Sequence, residues 1–454
     1  MKGGSFTKSE QIIRRKKRTA LLLAAGMLLS LCACGAQPTE NSDTKERIES
    51  TGIEDSAPAP AGASADGKAE SAEGTASGQD GSASGENAGG FGAAGQADPA
   101  GEVVITDMIG REVTIVPGSY KRVVCIGAGA LRMYCYVGDT ALLCGVEDID
   151  NTSLEERPKM FDGVARPYVL AFGDVFADLD SCGVGGPNAQ AAEAEKILSC
   201  NPDIVISEYE DVEKEDALQE QLGVPVITLR SGADGVFDSA FGQTMTMLGE
   251  IFSAEEKAET LVSFIEAERA EIERRTASIA EEEKPGVYIC GLGNWGTTNH
   301  LMTAQKYISF TVANIRNVAE GLASDGIQPV EEEKFVSWGE DMDIMIIDAA
   351  AMKNIRPLYA EDSAMFDSCK AWREGEVYLQ MAYNAYYTNY ETALINTWYL
   401  AKTVYPEAFE DINMTAKTNE ITKAFLGREL AEEIFACPNS FGGYQRIDTG
   451  SFFE

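Results

Sequence analysis

The stretch SAEEKAETLVSFIEAERAEIERRTASIA, residues 253–280, decides how the rest of the chain can be arranged. It has no Pro or Gly and is dense in Ala, Glu, Leu and Arg, which predicts one long helix. Ser253 and Glu256 have the spacing of a capping box. The apolar residues of one predicted face are Ala258, Leu261, Phe264, Ile265, Ile272 and Ile279. Such a helix is roughly 40 Å long, so it is either a strut between two lobes or a helix covering one large sheet.

Predicted strands and helices alternate on both sides of this helix, which is typical of parallel sheets. A predicted hairpin covers 103–115, and 155–188 is predicted to be irregular. The strands are predicted at 122–126, 142–146, 204–207, 226–229, 286–290, 343–347 and 376–379. The helices are predicted at 131–137, 191–200, 214–222, 308–318, 331–338 and 391–405. We therefore predict an α/β fold with two Rossmann-like lobes, each with a central parallel sheet, joined by one long rigid helix.

A weak internal repeat favours two lobes of the same design. Residues 195–200, EKILSC, precede the predicted strand Asp-Ile-Val-Ile at 203–206, and residues 333–338, EKFVSW, precede Asp-Ile-Met-Ile at 343–346. Each copy combines a short helix, a turn carrying an acid and a buried strand. The second copy has a longer turn, so chance similarity between two α/β units remains an alternative.

The N-terminus has the features of an export signal. A basic segment precedes the apolar run 20–32, which is short for a membrane span. Leu31-Cys32-Ala33-Cys34-Gly35 resembles a bacterial lipobox, with Cys34 as the acylated first residue of the mature protein; a plain secretory signal is the alternative. The following Ala, Gly, Ser and acidic residues predict a disordered tether. The predicted parts are a signal at 1–33, a linker at 34–101, an N-terminal lobe at 102–235, a helical connector at 236–283 and a C-terminal lobe at 284–454.

Charge and composition exclude several classes of function. The formal net charge is −36, and such an acidic surface repels nucleic acid. His300 is the single histidine, so chemistry that needs several imidazoles is excluded. Beyond the signal and Cys34, eight cysteines remain without a CxxC pair, and we expect most to be buried free thiols. We expect neither a metal site nor a cofactor.

Two glycine-rich turns bear on enzymatic alternatives. Gly291-Leu-Gly-Asn-Trp-Gly296 has the spacing of a dinucleotide fingerprint, but its Trp would crowd a pyrophosphate and no helix is predicted to open there. The turn Gly127-Ala-Gly129 does not match the dinucleotide fingerprint either, because Arg132 occupies the sixth position, where the fingerprint requires Gly. Neither a Gly-x-Ser-x-Gly elbow nor a Walker loop occurs.

Five short motifs together resemble one family. They are Asp107-x-x-Gly-Arg-Glu-Val113, Arg122-Val-Val, Asn201-Pro-Asp-Ile-Val-Ile206, Leu222-Gly-Val-Pro-Val226 and Tyr405-Pro-Glu-Ala-Phe409. In this order, over roughly residues 103–425, they resemble the periplasmic binding proteins of ABC importers for iron–siderophore complexes, haem and cobalamin. The resemblance implies two lobes joined by a helix, with the ligand between them. It also implies permease docking by one glutamate on each lobe, at Glu195 and Glu333.

Candidate ligand-binding residues follow predicted strands, where α/β lobes present their ligand-facing loops, or lie in the irregular segment 155–188. On the C-lobe they include the aromatic run with Tyr383, Tyr386 and Tyr387, which suits a planar or catecholate ligand; packed tyrosines at a helix start are the alternative. The remaining candidates are Arg132, Tyr168, Tyr209, Arg230, Asn294 and Trp295. We expect Arg132, on the N-lobe rim, to bind an anionic ferric complex or a haem propionate.

The sequence thus predicts a monomeric lipoprotein, lipid-anchored on the outer face of the cell membrane. We expect it to capture an iron(III) complex, either a siderophore or haem, and to deliver it to an ABC permease and its ATPase. It is not expected to be an enzyme. A cobalamin or other corrinoid ligand is the main alternative. A surface enzyme acting on a tetrapyrrole or cell-wall component and a ligand sensor for a receptor kinase are the others.

Anchoring can be tested at the lipobox. Cys34→Ala removes the thiol predicted to be acylated, so the protein should leave the membrane for the medium or accumulate as uncleaved precursor. Detergent-phase partitioning and the mass of the mature N-terminus measure both outcomes. A variant that is still processed and still enters the detergent phase would show that the lipobox assignment is wrong.

Overall fold

The computed structural model describes residues 101–451 apart from 188, 190 and 362. Cys34, the predicted signal and nearly all of the predicted linker lie outside these residues. Within them, no helix is both long enough and apolar enough to span a bilayer. A two-stranded antiparallel hairpin, β1 with β2, opens the described chain where the sequence predicts it, and two α/β lobes follow.

Each lobe contains a five-stranded sheet. The N-lobe order is β5-β4-β3-β6-β7, all parallel; the C-lobe order is β10-β8-β12-β13-β14, with only β14 antiparallel to its neighbour. A small antiparallel pair, β9 with β11, accompanies the C-lobe. The strands are β1 Val103–Thr106, β2 Glu112–Ile115, β3 Val123–Ile126, β4 Leu143–Glu147, β5 Asp180–Gly183, β6 Ile204–Ser207, β7 Val226–Thr228, β8 Gly286–Cys290, β9 Met302–Ala304, β10 Arg316–Asn317, β11 Ile327–Pro329, β12 Ile344–Asp348, β13 Val377–Gln380 and β14 Gln445–Arg446.

Helices cover both faces of the sheets, so the central strands are fully buried and almost entirely apolar, with Ser207 and Asp348 as the polar residues that end β6 and β12. The predicted α/β fold class is confirmed. The α-helices are α1 Ala130–Val137, α2 Pro167–Ala177, α3 Ala194–Ser199, α4 Val212–Leu222, α5 Ser239–Phe252, α6 Glu255–Thr276, α7 Ile308–Val312, α8 Glu332–Ser337, α9 Met352–Glu361, α10 Ser363–Asp367, α11 Lys370–Glu374, α12 Tyr390–Val404, α13 Met414–Leu426 and α14 Ala431–Ala436. Short 3₁₀ turns lie at Thr140–Leu142, Gly235–Phe237, Glu281–Glu283, Gly339–Asp341, Ala349–Ala351 and Pro438–Ser440.

The long helix predicted at 253–280 is α6, about 33 Å long. Together with α5 it lies between the last N-lobe strand and the first C-lobe strand, and it contacts α1 of one lobe and α12 and α13 of the other. Most of the predicted apolar face is buried, and Lys417 on α13 approaches the buried Glu268 at 3.1 Å. The helix therefore packs against both lobes at once.

The capping box predicted at the start of α6 is wrong. Ser253 has a left-handed backbone, with φ 51°, and its N–H closes the end of α5 on the carbonyl of Glu250. Ala254 is the residue that precedes α6, and no side chain caps it. The helices follow each other too closely for Ser253 to adopt the extended backbone that an N-cap needs.

Two other local predictions are wrong because tertiary contacts prevail. The segment 155–188 is not irregular throughout, since it contains α2 and β5. Pro167 fixes the first turn of α2, and β5 is an edge strand, where a short, partly polar segment is tolerated. The helix predicted at 308–318 ends at Val312, because Asn314 has φ 54° and β10 then pairs with β8.

The internal repeat has a structural counterpart. Helix α3 precedes β6 and α8 precedes β12, and each pair lies beside the first strand of its own lobe's sheet. The acid of each turn binds the start of that first strand. Asp203 accepts hydrogen bonds from Lys121 N at 2.7 Å and Arg122 N at 2.9 Å, and Asp343 accepts one from Gly286 N at 2.7 Å.

Candidate functional site

The first strand of each lobe ends in a Gly-x-Gly turn with the same backbone. Gly127 and Gly129 follow β3 with φ 87° and 109°, and Gly291 and Gly293 follow β8 with φ 80° and 113°. Only glycine adopts such values without strain. In each sheet the chain leaves this strand on one side and returns on the other, which makes the turn a topological switch point. Crevices at such points are where open α/β sheets bind ligands.

An acidic side chain lies beside each glycine turn. In the N-lobe, Glu208 follows β6, and its carboxyl carbon is 3.4 Å from the position that a Cβ of Gly129 would occupy. In the C-lobe, Asp348 ends β12 and accepts hydrogen bonds from Ala350 N at 2.9 Å and Gln380 Nε2 at 2.8 Å. Burial raises the pKa of Glu208, and it raises the pKa of Asp348 to about 7. Both switch points are therefore lined by carboxyl groups.

Arg132 connects the two lobes. From α1 its guanidinium donates to Asn389 Oδ1 at 3.0 Å and to three C-lobe carbonyls, those of Thr388 at 2.9 Å, Ala385 at 3.0 Å and Tyr386 at 2.9 Å. The side chain is buried, 1% exposed. The predicted position of Arg132 on an open rim is therefore wrong, because all three of its nitrogens are engaged by the opposite lobe.

The turn that Arg132 binds has an unfavourable backbone. Tyr386 and Tyr387 are consecutive and both left-handed, with φ 53° and 69°, while Asn384 and Thr388 form a β-bridge around them. Left-handed backbone costs an ordinary residue about 1–2 kcal/mol, and two bulky residues in succession form a marked outlier. The hydrogen bonds from Arg132 to this turn offset that cost.

Tyr386 and Glu147 form a second contact between the lobes. The Tyr386 hydroxyl donates to Glu147 Oε2 at 2.6 Å, and Gly127 N donates to Oε1 at 3.2 Å. Burial raises the pKa of Glu147 to about 7, although both hydrogen bonds act to lower it. Tyr386 is only 4% exposed and packs near Phe161, so its ring belongs to the interface between the lobes and not to an open wall.

The other N-lobe candidates are dispersed. Tyr168 is buried, donates a hydrogen bond to Asp150 and carries the Arg132 guanidinium 4.7 Å above its ring. Tyr209 is half-buried and lines a shallow pocket between α3 and α4. Arg230 is exposed and paired with Glu210. The structure thus places Tyr168 behind Arg132, and it places Arg230 in an ion pair.

The C-lobe candidates lie closer together. Tyr387 is 43% exposed, whereas Tyr383 is half-buried beside Tyr307, with ring centroids 6.5 Å apart. Asn294 and Trp295 belong to the loop after Gly293, and Asn294 lies 3.5 Å from Asn384. No helix opens in that loop, which leads into β9, so the dinucleotide interpretation remains excluded.

Sequence reasoning missed Glu147, Glu208 and Asp348. Each ends a predicted parallel strand or directly follows one, so position alone could have identified them. The sequence argument selected aromatic and basic side chains on both lobes instead of these acids. His300 is a structural residue, as expected of a lone histidine: it is 2% exposed between Phe335 and Phe366, and burial lowers its pKa to about 4.

A groove of about 760 Å³ lies away from the switch points, between the β1 hairpin strand and helices α5 and α6. Its position on the connector separates it from the strand ends and glycine turns described above. The eight cysteines of the described chain are all free, and six of them are buried.

The docking candidates occupy matching surface positions. Glu195 is exposed on α3 and Glu333 is exposed on α8, at the second residue of each helix. Three residues further on, each helix exposes an apolar side chain, Leu198 at 39% and Val336 at 44%. The two lobes therefore present the same pair of side chains to solvent.

Residues 123–381 match the family described as periplasmic binding protein, and the chain belongs to this family of extracytoplasmic solute-binding proteins. The molybdate-binding protein MolA of Haemophilus influenzae is 22% identical over 343 residues, covering 71% of this chain and 90% of that protein. Its molybdate-bound structure has a TM-score of 0.55 at 18% identity, covering 72% of this chain and 98% of that one. It is the cognate binding protein of an ABC transporter.

Two solved structures from Veillonella parvula are similar in fold. A periplasmic solute-binding protein has a TM-score of 0.57 at 19% identity and covers 74% of this chain and 96% of its own. A TroA-like periplasmic binding protein, FepB, has a TM-score of 0.52 at 19% identity and covers 72% of this chain and 97% of its own. At such identities these likenesses establish the fold, and they leave the ligand of this chain open.

The Glu147 contact predicts a pH-dependent stability. The folded pKa of about 7 lies above the ordinary 4.5, so the folded state keeps a proton that the unfolded state has lost. Stability should therefore fall as pH rises from about 4.5 to about 7, by on the order of 3 kcal/mol from this group. Glu147→Gln cannot ionise, so it should lose less stability between about pH 5 and about pH 8. Urea unfolding at both pH values measures this.

The exposed Glu213→Gln is the matched control and should keep the wild-type pH dependence. Asp348 also has a raised pKa, so Glu147→Gln should remove only part of the effect. Equal losses of stability in Glu147→Gln and wild type would contradict the assignment.

Proposed function

We propose that this protein captures an iron(III) complex, a siderophore chelate or haem, outside the membrane and delivers it to an ABC permease and its ATPase. It performs no covalent chemistry on that ligand. A lipid on Cys34 holds it at the outer face of the membrane. Family membership supports the solute-binding role, and the aromatic side chains of the C-lobe loops support the kind of ligand.

The exposed ring of Tyr387 is the observation that carries the choice of ligand. It extends from a strained turn between the lobes, and Asn384 of the same turn lies 3.5 Å from Asn294 of the loop that follows β8. At 43% exposure the ring gains little from burial in the free protein. Such rings bind flat or bulky organic surfaces, whereas a bare ion offers them little contact area. An organic chelate of iron suits this surface.

Capture of an oxyanion is the second candidate, because MolA binds molybdate. The carboxyl groups at both switch points oppose it, since a tetrahedral oxyanion requires donors or cations around it. The arginine nearest to the glycine turn of the N-lobe, Arg132, is already engaged.

Direct binding distinguishes these ligands. Wild-type protein is titrated with a ferric siderophore chelate, haem, cobalamin and molybdate, followed by tryptophan fluorescence and thermal shift. A ferric chelate or haem should saturate the protein, raise its Tm and be recovered chemically unchanged. Tyr387→Ala should weaken that ligand by about 1–3 kcal/mol, as truncation of a buried aromatic anchor does. Saturation by molybdate alone would refute the proposal.

For docking, we propose that Glu195 and Glu333 pair with basic residues of the permease, one on each lobe. Their equivalent positions on α3 and α8, each beside an exposed apolar residue, support a partner with two like subunits. Each rim ion pair is weak alone, but two simultaneous contacts add by avidity.

Reversal of both charges tests this contact. Glu195→Lys with Glu333→Lys should reduce uptake by roughly tenfold or more while the ligand Kd stays the same, because both side chains are exposed on the outer surface of their helices. Glu213→Lys with Glu407→Lys, two exposed acids on the same lobes, is the matched control and should transport normally. Transport assays in cells and titration of the purified proteins provide both readouts. Normal uptake by the first double variant would remove the claim.

A further inference from the structure

One carboxylate oxygen of the N-lobe switch point has no partner. Glu208 Oε1 is inaccessible to solvent and lacks a hydrogen-bond partner among the described residues. Glu208 N donates to the carbonyl of Ile126 at 3.1 Å, which fixes the residue beside the Gly127–Gly129 turn. A buried acceptor without a donor costs free energy, so this arrangement calls for a donor supplied from elsewhere.

Two tyrosines of the opposite lobe lie near this carboxyl group. Burial, and after it the charge of Glu208, raises the pKa of both Tyr387 and Tyr390. Tyr390 is fully buried, and Ser231 lies close enough to the hydroxyls of both tyrosines to act on their pKa. Tyr387 is exposed on a left-handed backbone. Strain of this kind at an exposed aromatic residue is typical of functional sites.

The arginines that approach this region in residues 101–451 are all engaged. Arg132 binds the C-lobe turn, Arg166 binds Asp150 and the carbonyl of Ile149, and Arg230 pairs with Glu210. An anionic ligand would therefore meet carboxyl groups without a free guanidinium. A cationic ligand group would satisfy both the orphaned carboxylate oxygen and the face of a tyrosine ring.

We infer that Glu208, Tyr387 and Tyr390 form a subsite for a positively charged ammonium group of the ligand. This inference rests on the proposed function and narrows it: the ligand is a chelate with a cationic amine, not an oxyanion or a polyanionic complex. Glu208 accepts a hydrogen bond from the ammonium group, the Tyr387 ring covers it, and the Tyr390 hydroxyl provides a second acceptor.

Binding of a cation at this subsite should be linked to a measurable release of protons. The charged groups that act on Glu208 are Arg132 on α1 and Glu210 on its own loop, and the titratable groups opposite it are Tyr387 and Tyr390. Burial raises the pKa of Glu208, and a cation bound beside it acts in the opposite direction. An ammonium group should therefore lower that pKa on binding, so any proton that the free protein holds on Glu208 should be released.

The decisive experiment compares two ligands that differ by one charge. A ferric trihydroxamate with a free primary ammonium tail is titrated by calorimetry beside its N-acetylated form. Wild type should bind the ammonium form roughly tenfold or more tighter, and Glu208→Gln should abolish that preference, because its amide has no charge. Titration in two buffers of different ionisation enthalpy measures proton release, which should occur in wild type and disappear in Glu208→Gln. Glu213→Gln is the control, and it should retain both the preference for the ammonium form and the release of protons on binding.

A second variant separates binding from stability. Tyr387→Gly relieves the left-handed strain, so its Tm should not fall, yet it should bind the ammonium form several-fold more weakly. Ser253→Gly relieves the same kind of strain at the end of α5 and should leave affinity unchanged. Equal affinity of wild type for both chelates, or equal binding by Glu208→Gln, would overturn the subsite while leaving chelate capture intact. Binding of neither chelate, nor of the other iron ligands, would instead refute the proposed function itself.

Discussion

The arrangement of the two lobes depends on one buried guanidinium. Arg132 leaves the N-lobe on α1 and donates four hydrogen bonds into a single C-lobe turn, three of them to main-chain carbonyls. A buried cation is costly unless its donors are satisfied, and this one is satisfied almost entirely by the other lobe. Separation of the lobes would therefore expose a charge and an unfavourable turn together. The long helix sets the spacing of the lobes, and this contact together with the Tyr386–Glu147 hydrogen bond holds their facing loops together.

The same contact determines which charged groups of the protein remain free to bind a ligand. Arginine beside a groove in an acidic chain suggests affinity for anions, and from sequence that was a reasonable expectation for Arg132. Its donors are engaged, however, and in the described part of the N-lobe switch point it is a carboxyl oxygen, Glu208 Oε1, that has no hydrogen-bond partner. Which charges remain available depends on contacts between residues more than 250 positions apart, and a sequence without its fold does not show these.

Periodicity predicted the fold well, and it located the site only in part. The apolar strands and α6 follow from local patterns, since their buried faces are continuous or regularly spaced. Helix α2 and strand β5 did not, because Gly173 interrupts one and polar residues begin the other. The Tyr386–Tyr387 turn was identified as a ligand loop from its composition. Its left-handed backbone could not be foreseen, because such a turn ordinarily contains Asn or Gly and is held here by contacts from the other lobe.

The left-handed tyrosine turn also has a kinetic consequence. If the ligand binds between the lobes, as proposed, these must part to admit it, and the Arg132 and Glu147 hydrogen bonds resist that separation. The observed affinity would then be the intrinsic affinity reduced by the fraction of molecules that is open. At high ligand concentration, the rate of binding would then be limited by the opening of these contacts between the lobes and no longer by diffusion. A permease that pulls the lobes apart would accelerate release by the same route, since it needs only to break the contacts around one turn.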